Sequence, residues 1–442
     1  MIYWQDNLRT LYNKDCRSMS ELPDESVQMV CCSPPYWGLR KYAGLPDLVW
    51  GGDENCQHEW RNEIGLRKTG GNIGGRADYH NITQRFTAAN NSCSLCGAVK
   101  GAFGLESSPE EYVQHSIEIL REIRRVLRPD GVVFWNIGDS YATSSPGTNQ
   151  MKPVTWEENG QEKKRGMTRI GKVKGLKPKD LCLIPFRLAI RLQEDSWWVR
   201  SVIIWAKNNP MPESVRDRPS RSHEYILMLT KSARYYWDAE AVREAQSPNT
   251  HSRGASPKDK NDGVQVDGKV SHKDWMKYTN DWLYSSSGRN LRSVWTFSTQ
   301  SYKKPHFATF PEALPERCIK AATPEVGCCS KCGKPWVRIV ERQKSPFKDT
   351  RTPGRHTPVG NGKIRGAKLQ EWLNEHPSQT LGWKPACKCS AEKIPSICLD
   401  PFAGSGTTLK VAAELNRRAV GYELSREYCD LAVERNRQEV LL

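Results

Sequence analysis

No stretch of this 442-residue chain approaches the run of about 18 apolar residues that a membrane-spanning helix needs. The opening Met1-Ile2-Tyr3-Trp4-Gln5-Asp6 lacks both the basic start and the apolar core of a secretory leader, so a cytoplasmic protein with no membrane partner is expected. Acidic residues are short: 50 Asp and Glu stand against 66 Lys and Arg, a net charge of +16 that favours a polyanionic partner, most simply nucleic acid. Disulfides do not persist in a reducing compartment, so the 15 cysteines need another explanation. Seven of them have metal-ligand spacing. The other eight (Cys16, Cys31, Cys32, Cys182, Cys318, Cys328, Cys398 and Cys429) lie mostly in apolar surroundings, where cysteine acts as a small hydrophobe.

Two metal-like sets stand out. Cys56-Gln57-His58 with Cys93-Ser94-Leu95-Cys96-Gly97 offers three thiolates and an imidazole, and the glycine permits the turn that wraps a tetrahedral ion. Cys329-Ser330-Lys331-Cys332-Gly333 with Cys387-Lys388-Cys389 offers four thiolates, which leaves no open position for catalysis and marks a structural zinc. The competing reading of each set is a coincidence of exposed thiols.

Ser33-Pro34-Pro35-Tyr36 follows the β-prone run Val27–Cys32, so it falls where a buried strand opens into a loop. Two prolines stiffen that loop and leave its carbonyls without ladder partners. A carbonyl, a hydroxyl and an aromatic ring at one strand end suit the grip of a planar ring that carries an exocyclic amine. A proline-rich turn with a packing tyrosine satisfies the same tetrapeptide. At the other end of the chain, Ile397–Asp400 reads as a buried strand, followed by Pro401-Phe402-Ala403-Gly404-Ser405-Gly406-Thr407-Thr408 and the start of a helix. Glycines let a ligand approach the backbone there, and a helix N-terminus offers N–H groups. The loop lacks the Gly-Lys-Ser/Thr of a phosphate loop and the third glycine of a dinucleotide fingerprint. The next strand ends in Glu423, an acid placed for ribose hydroxyls. Asp15, after a short strand from Leu8, either meets a cofactor amine or caps a helix.

Between these ends the helix and strand periods alternate as in an α/β domain. A helix is expected over Pro109–Arg128, stopped by Pro129-Asp130-Gly131, then a buried strand to Ile137 and a polar strand end Gly138-Asp139-Ser140-Tyr141. A second helix is expected over Asp180–Glu194, a strand over Trp197–Trp205, and a hairpin-like pair over Glu224–Thr230 and Tyr235–Asp238. Residues 43–105 read as an irregular, metal-held insertion and 144–179 as a basic mobile loop. Residues 239–292 interleave aromatic and basic groups without a sustained period.

Asp400-Pro401-Phe402-Ala403-Gly404-Ser405-Gly406-Thr407-Thr408 resembles the S-adenosylmethionine motif of the DNA amino-methyltransferases, and Ser33-Pro34-Pro35-Tyr36 resembles their catalytic motif. The catalytic motif comes first and the cofactor motif last, similar to the β-type order of that family. The resemblance implies a permuted Rossmann-like α/β methyltransferase with zinc-binding insertions and a small target-recognition segment. Its expected divisions are a catalytic half at 1–42, a zinc insertion at 43–105, continued core at 106–238 and target recognition at 239–292. A cofactor-closing segment at 293–325, a second zinc insertion with a basic loop at 326–394 and a cofactor half at 395–442 complete it. By position, Ser33, Pro34, Pro35 and Tyr36 would hold a base flipped from duplex DNA. Asp400, Phe402, Gly404, Ser405, Gly406 and Thr407 would line the methionine end of S-adenosylmethionine, Glu423 its ribose and Asp15 its adenine amine, with Phe307 to Pro311 closing over it. Serine in the first catalytic position leans to the N4 amine of cytosine, with the N6 amine of adenine as the alternative. RNA or protein-glutamine methylation and an idle, DNA-binding core are more remote readings. No Pro-Cys pair occurs, which argues against the covalent route of C5-cytosine enzymes. A homodimer and a cognate restriction endonuclease are partners that the resemblance leaves open.

Overall fold

The computed structural model describes residues 2–38, 46–69, 82–142, 154–158, 161–165, 175–244, 289–300, 310–341 and 379–437. Its centre is one nine-stranded sheet. The strands are β1 (Ile2–Gln5), β2 (Arg9–Asn13), β3 (Val27–Cys32), β4 (Leu127–Ile137), β5 (Trp198–Ala206), β6 (His223–Thr230), β7 (Val294–Thr296), β8 (Ile397–Asp400) and β9 (Arg418–Glu423). In space they run β1-β2-β9-β8-β3-β4-β6-β5-β7. From β2 to β4 neighbours are parallel, while β6 is antiparallel to both β4 and β5. The last strands of the chain therefore lie between the first ones, the permuted order expected from the motifs.

Helices α1 (Pro109–Val126), α2 (Ile184–Glu194), α3 (Ala313–Ala322), α4 (Thr407–Glu414) and α5 (Arg426–Arg437) cover the two faces. Strand β3 is buried at every position, as a parallel strand covered on both sides must be. Its side chains alternate between two cores. Val30 and Cys32 join Leu120 and Ile123 of α1 and Leu188 and Leu192 of α2. Met29 and Cys31 join Leu314 and Ile319 of α3, Leu409 of α4 and Ala432 of α5. All eight cysteines outside the metal-like sets are buried, as their apolar context predicts. Among the described residues no helix is long and apolar enough to cross a membrane.

Several boundaries differ from the sequence reading for local reasons. Helix α1 starts as expected, with Ser108 accepting from the Glu111 N–H at 3.2 Å and Pro109 in the first turn. It ends two residues early, because Leu127 already pairs with Val27, and a bulge absorbs Arg128–Gly131 before Val132 pairs with Met29. Helix α2 starts at Ile184 rather than Asp180, after Leu183 in the left-handed region. The hairpin pair is corrected: β6 pairs with β5, not with 235–238. Tyr236 and Asp238 instead donate backbone N–H groups to the carbonyls of Asp130 and Ala321. The insertion at 43–105 is more regular than expected, with strands Leu48–Trp50, Trp60–Thr69, Ile82–Cys93 and Val99–Gly101 in one antiparallel sheet. Within 144–179, Val154–Glu158 and Gln161–Arg165 pair as antiparallel strands where a loop was expected, and of the rest only 175–179 are among the described residues. Most of the expected target-recognition segment, and the basic loop after Glu341, fall outside the described residues.

Candidate active site

Parallel strands β8 and β3 are neighbours, with Leu399 beside Val30, so the loops that follow them leave the same sheet edge side by side. Thr408, in the first turn of α4, links them: its Oγ1 donates within reach of the Cys31 carbonyl (3.3 Å) and the Asp400 carboxylate (2.7 Å). The two motifs at opposite ends of the chain thus share one site.

On the β8 side, Gly404 and Gly406 both have positive φ. A Cβ on Gly406 would lie 2.5 Å from Asn436 Nδ2 of α5, so a side chain is excluded on two counts. Asp400 and Glu423 are both buried, and desolvation pushes each carboxyl up to about 7. Asp400 accepts from Thr408 and from the Phe402 N–H at 3.0 Å; Glu423 accepts from the N–H groups of Gly404 (2.9 Å) and Ser425 (2.8 Å). Among the described residues no cationic side chain pairs with either. Two buried acids without a cation are costly in a chain of this charge, and they suit a ligand that brings positive charge. Phe402 is half-buried, its ring 5.9 Å from Phe103 and 5.7 Å from Trp135.

The hydroxyls of Ser405 and Thr407 face away from that arrangement. Both accept from Arg435 of α5, at 3.0 and 2.8 Å, and the same guanidinium meets Glu312 at 2.7 Å. Pro311 is buried just before α3, adjacent to Glu312, and its carbonyl accepts from the Leu314 N–H. Phe307 lies outside the described residues. Asp15 caps a turn rather than a helix: it accepts from the Arg17 backbone at 2.9 Å and from its guanidinium at 2.8 Å, while Arg17 also stacks over Trp50.

On the β3 side, Ser33 and Tyr36 enter a polar network with three residues that the sequence reading left unassigned. Ser33 Oγ donates to the Tyr36 hydroxyl at 3.2 Å, and Tyr36 donates to Glu224 Oε2 at 2.6 Å. Asn136, at the end of β4, places Nδ2 2.8 Å from the Tyr36 hydroxyl and 3.0 Å from Glu224 Oε2. Lys207 closes the set with an ion pair to Glu224. Because β6 runs antiparallel to β4, its first residues reach the edge where the parallel strands end. That is how Glu224 comes to lie beside Tyr36. Asn136 Oδ1 and Asp139 Oδ2 are buried without a hydrogen-bond partner among the described residues. Burial also raises the Asp139 carboxyl, so the end of β4 presents two acceptors that lack donors. The polar strand end was legible in the sequence; these atoms were not. The loop itself is braced, with the Pro35 carbonyl accepting from the Tyr112 hydroxyl at 2.9 Å and Gly38 donating to the Gly104 carbonyl at 2.7 Å.

Both metal-like sets come together. In each, one ligand atom per residue falls within 4.8 Å of the others. Cys56 and Cys93 sulfurs are 3.9 Å apart, and Cys96 Sγ is 3.4 Å from His58 Nδ1. A tetrahedral ion with bonds of about 2.3 Å requires ligand separations of roughly 3.8 Å. The two knuckles turn alike, Gly97 donating to the Cys93 carbonyl (3.1 Å) and Gly333 to the Cys329 carbonyl (2.8 Å). The first cluster flanks the site, since the strand that follows it runs through Gly101 to Phe103 and Gly104. The second sits at the opposite edge of the sheet, where Arg128 donates to the Cys332 carbonyl at 3.3 Å and Gln28 approaches Cys328.

Known proteins resemble this chain over most of its length. The model of a family described as DNA methylase matches residues 27–329 and 387–434 and passes over the whole segment between the second pair of half-sites, Cys332 included. The type II methyltransferase M.Cfr9I of Citrobacter freundii is 31% identical over 431 residues, 97% of this chain and 88% of the relative. The type II methyltransferase M.SmaI of Serratia marcescens is 32% identical over 337 residues, 76% of this chain and 77% of the relative. Among solved structures, the PvuII DNA methyltransferase (cytosine-N4-specific) aligns over 98% of this chain and 87% of its own, at 13% identity and a TM-score of 0.45.

Proposed function

Since the chain belongs to the DNA methylase family and is a DNA amino-methyltransferase, we propose that it methylates the exocyclic N4 of a cytosine flipped out of duplex DNA, with S-adenosylmethionine as donor. The observation that carries this reading is the side-by-side exit of the Ser33–Tyr36 loop and the Asp400–Gly406 loop from neighbouring parallel strands. An amine held by the first loop then lies next to whatever the second loop binds.

S-adenosylmethionine, when bound, supplies an electrophilic methyl group. Its positive charge fits Asp400 and Glu423, two buried acids that no cationic side chain neutralises among the described residues. The base must leave the duplex because its amine is buried in the stack, at a cost of a few kcal/mol. Ser33 Oγ and the Pro34 carbonyl accept the two amine hydrogens, which draws the nitrogen lone pair out of conjugation with the ring. Tyr36 presents an aromatic face to the base. With no covalent bond to the protein, positioning supplies most of the rate. Cytosine is favoured over adenine because Ser33 occupies the position where the adenine-directed members of the family lean to Asp. The two knuckles, Cys56/His58/Cys93/Cys96 and Cys329/Cys332/Cys387/Cys389, fit structural zinc ions by their ligand separations and donor types.

The test is to incubate the protein with unmethylated DNA and S-adenosylmethionine, digest the DNA to nucleosides and identify the product by mass. N4-methylcytosine is the expected product. N6-methyladenine as the sole product would overturn the choice of base, and no methylated nucleoside would overturn the activity.

A further inference from the structure

The reading above requires Ser33 to accept a hydrogen from the substrate amine, yet a serine hydroxyl can equally donate. Its direction is set by what lies behind it. A carboxylate only accepts, and Glu224 is paired with Lys207 and half-enclosed, its side chain 17% exposed. The Tyr36 hydroxyl, 2.6 Å away, must therefore point its hydrogen at Glu224. Its oxygen then has only lone pairs to offer, and these receive the Ser33 hydrogen at 3.2 Å and the Asn136 amide at 2.8 Å. Asn136 is itself oriented by the same carboxylate, because only its Nδ2 can face Glu224 Oε2 at 3.0 Å. That leaves the Asn136 carbonyl oxygen buried without a donor among the described residues. Asn136 Nδ2 also lies 3.4 Å from Ser33 Oγ, on its acceptor side, so the Ser33 hydrogen stays directed at Tyr36 and its remaining lone pair is what the hydroxyl can offer a base.

We propose that Glu224 is the positioning residue that fixes the polarity of this network, and that it thereby selects an amine-bearing base over its oxo counterpart. The inference rests on the proposed function and deepens it. Ser33 with its hydrogen committed to Tyr36 can grip N–H groups only; a base presenting a carbonyl oxygen meets lone pair against lone pair. Glutamine at 224 would remove the constraint, since an amide can turn its NH2 toward Tyr36 and allow the whole chain to reverse.

The experiment uses full-length wild type, Glu224→Gln and Tyr36→Phe, with duplexes containing the methylated site found by nucleoside analysis and mapping. Each protein is tested for binding to the duplex with cytosine at the target position and with uracil there, or adenine against hypoxanthine if adenine is the base. The differing ease of flipping the two bases is common to all three proteins and cancels in the comparison. Both variants should lose at least tenfold of the wild-type preference for the amine base. Glu224→Gln should also lower kcat by about 100-fold while S-adenosylmethionine affinity stays within twofold. Tyr36→Phe severs the chain without disturbing the Lys207–Glu224 pair, so it decides the matter if Glu224→Gln fails to fold. A wild type that methylates DNA alongside variants that keep the full preference would overturn the inference alone. A wild type that methylates no base would remove the function on which it rests.

Discussion

Gly138 lies against the Tyr36 ring so closely that a Cβ there would sit 2.8 Å from ring carbons Cδ2 and Cε2. The residue after β4 therefore sets how deep the Tyr36 ring can rest. Gly138→Ala should force the ring outward and tilt it away from Glu224 and the bound base. A displacement of this size near reacting atoms costs on the order of 10- to 100-fold in rate. Single-turnover methylation should fall by that factor, with the thermal midpoint and S-adenosylmethionine affinity little changed. Wild-type turnover in this variant would show that the ring is free to move.

Burial of Asp400 and Glu423 makes stability depend on pH in a definite direction. In the folded chain both carboxyls stay protonated up to about 7, whereas in the unfolded chain they ionise near pH 4. The folded state holds the extra protons, so this contribution is full below about pH 4 and is lost as pH rises through about 7. Asp400→Asn removes one group's share. The decline of the thermal midpoint between pH 5 and 8 should become shallower than in wild type. A cationic ligand favours the ionised acids, so S-adenosylmethionine affinity should rise over the same range, with protons released on binding. Calorimetry in buffers of different ionisation enthalpy measures that release, and proton uptake would contradict it.

The two metal-like clusters should respond differently to loss of a ligand. Cys93 belongs to the unit whose chain continues to Gly104, which accepts from Gly38 and packs against Pro35. Cys329 belongs to the unit that rests on Arg128 and Gln28 at the far edge of the sheet. Each of Cys93→Ser and Cys329→Ser should remove one equivalent of zinc and lower the thermal midpoint, because metal binding is coupled to folding. At a temperature where both variants remain folded, only Cys93→Ser should lower kcat. Unchanged zinc content in either variant would remove that cluster as a metal site.

How far the sequence carried follows from the range of the interactions involved. Strand β3, the Gly404–Gly406 loop and both C-x-x-C-G knuckles were legible because their cause is local: composition, φ restrictions and ligand spacing over a few residues. The shared site was legible only through resemblance, since nothing local says that Leu399 lies beside Val30. Glu224, Asn136 and Lys207 were missed because an ordinary strand start and strand end meet Tyr36 only when β6 turns antiparallel at the sheet edge. Arg435 was missed for a similar reason: at the end of a polar helix, a basic residue reads as a dipole partner or a solvated charge. The hairpin assigned to 235–238 failed because the Tyr236 and Asp238 N–H groups are taken by the carbonyls of Asp130 and Ala321, and Tyr235 and Trp237 pack on the core without a second strand.

Arg435 joins three pieces of the chain that are distant in sequence: the glycine loop through Ser405 and Thr407, the start of α3 through Glu312, and its own helix α5. Lys410 adds a second cation to Glu312 at 3.0 Å, and together the two hold that carboxyl below its usual range despite burial. The side chain of Arg435 is only 12% exposed, so its contacts are poorly screened by solvent. Arg435→Ala would leave two buried hydroxyls without their donor and release the loop from α5. S-adenosylmethionine affinity should fall by about tenfold, the order of one charge-assisted hydrogen bond, while kcat at saturating cofactor remains near wild type. Arg435→Lys should recover little, because one ammonium cannot span both hydroxyls and Glu312 as the guanidinium does. Titration calorimetry of the three proteins gives the affinities. If the alanine variant bound cofactor as wild type does, the clamp would be a folding contact with no hold on the loop.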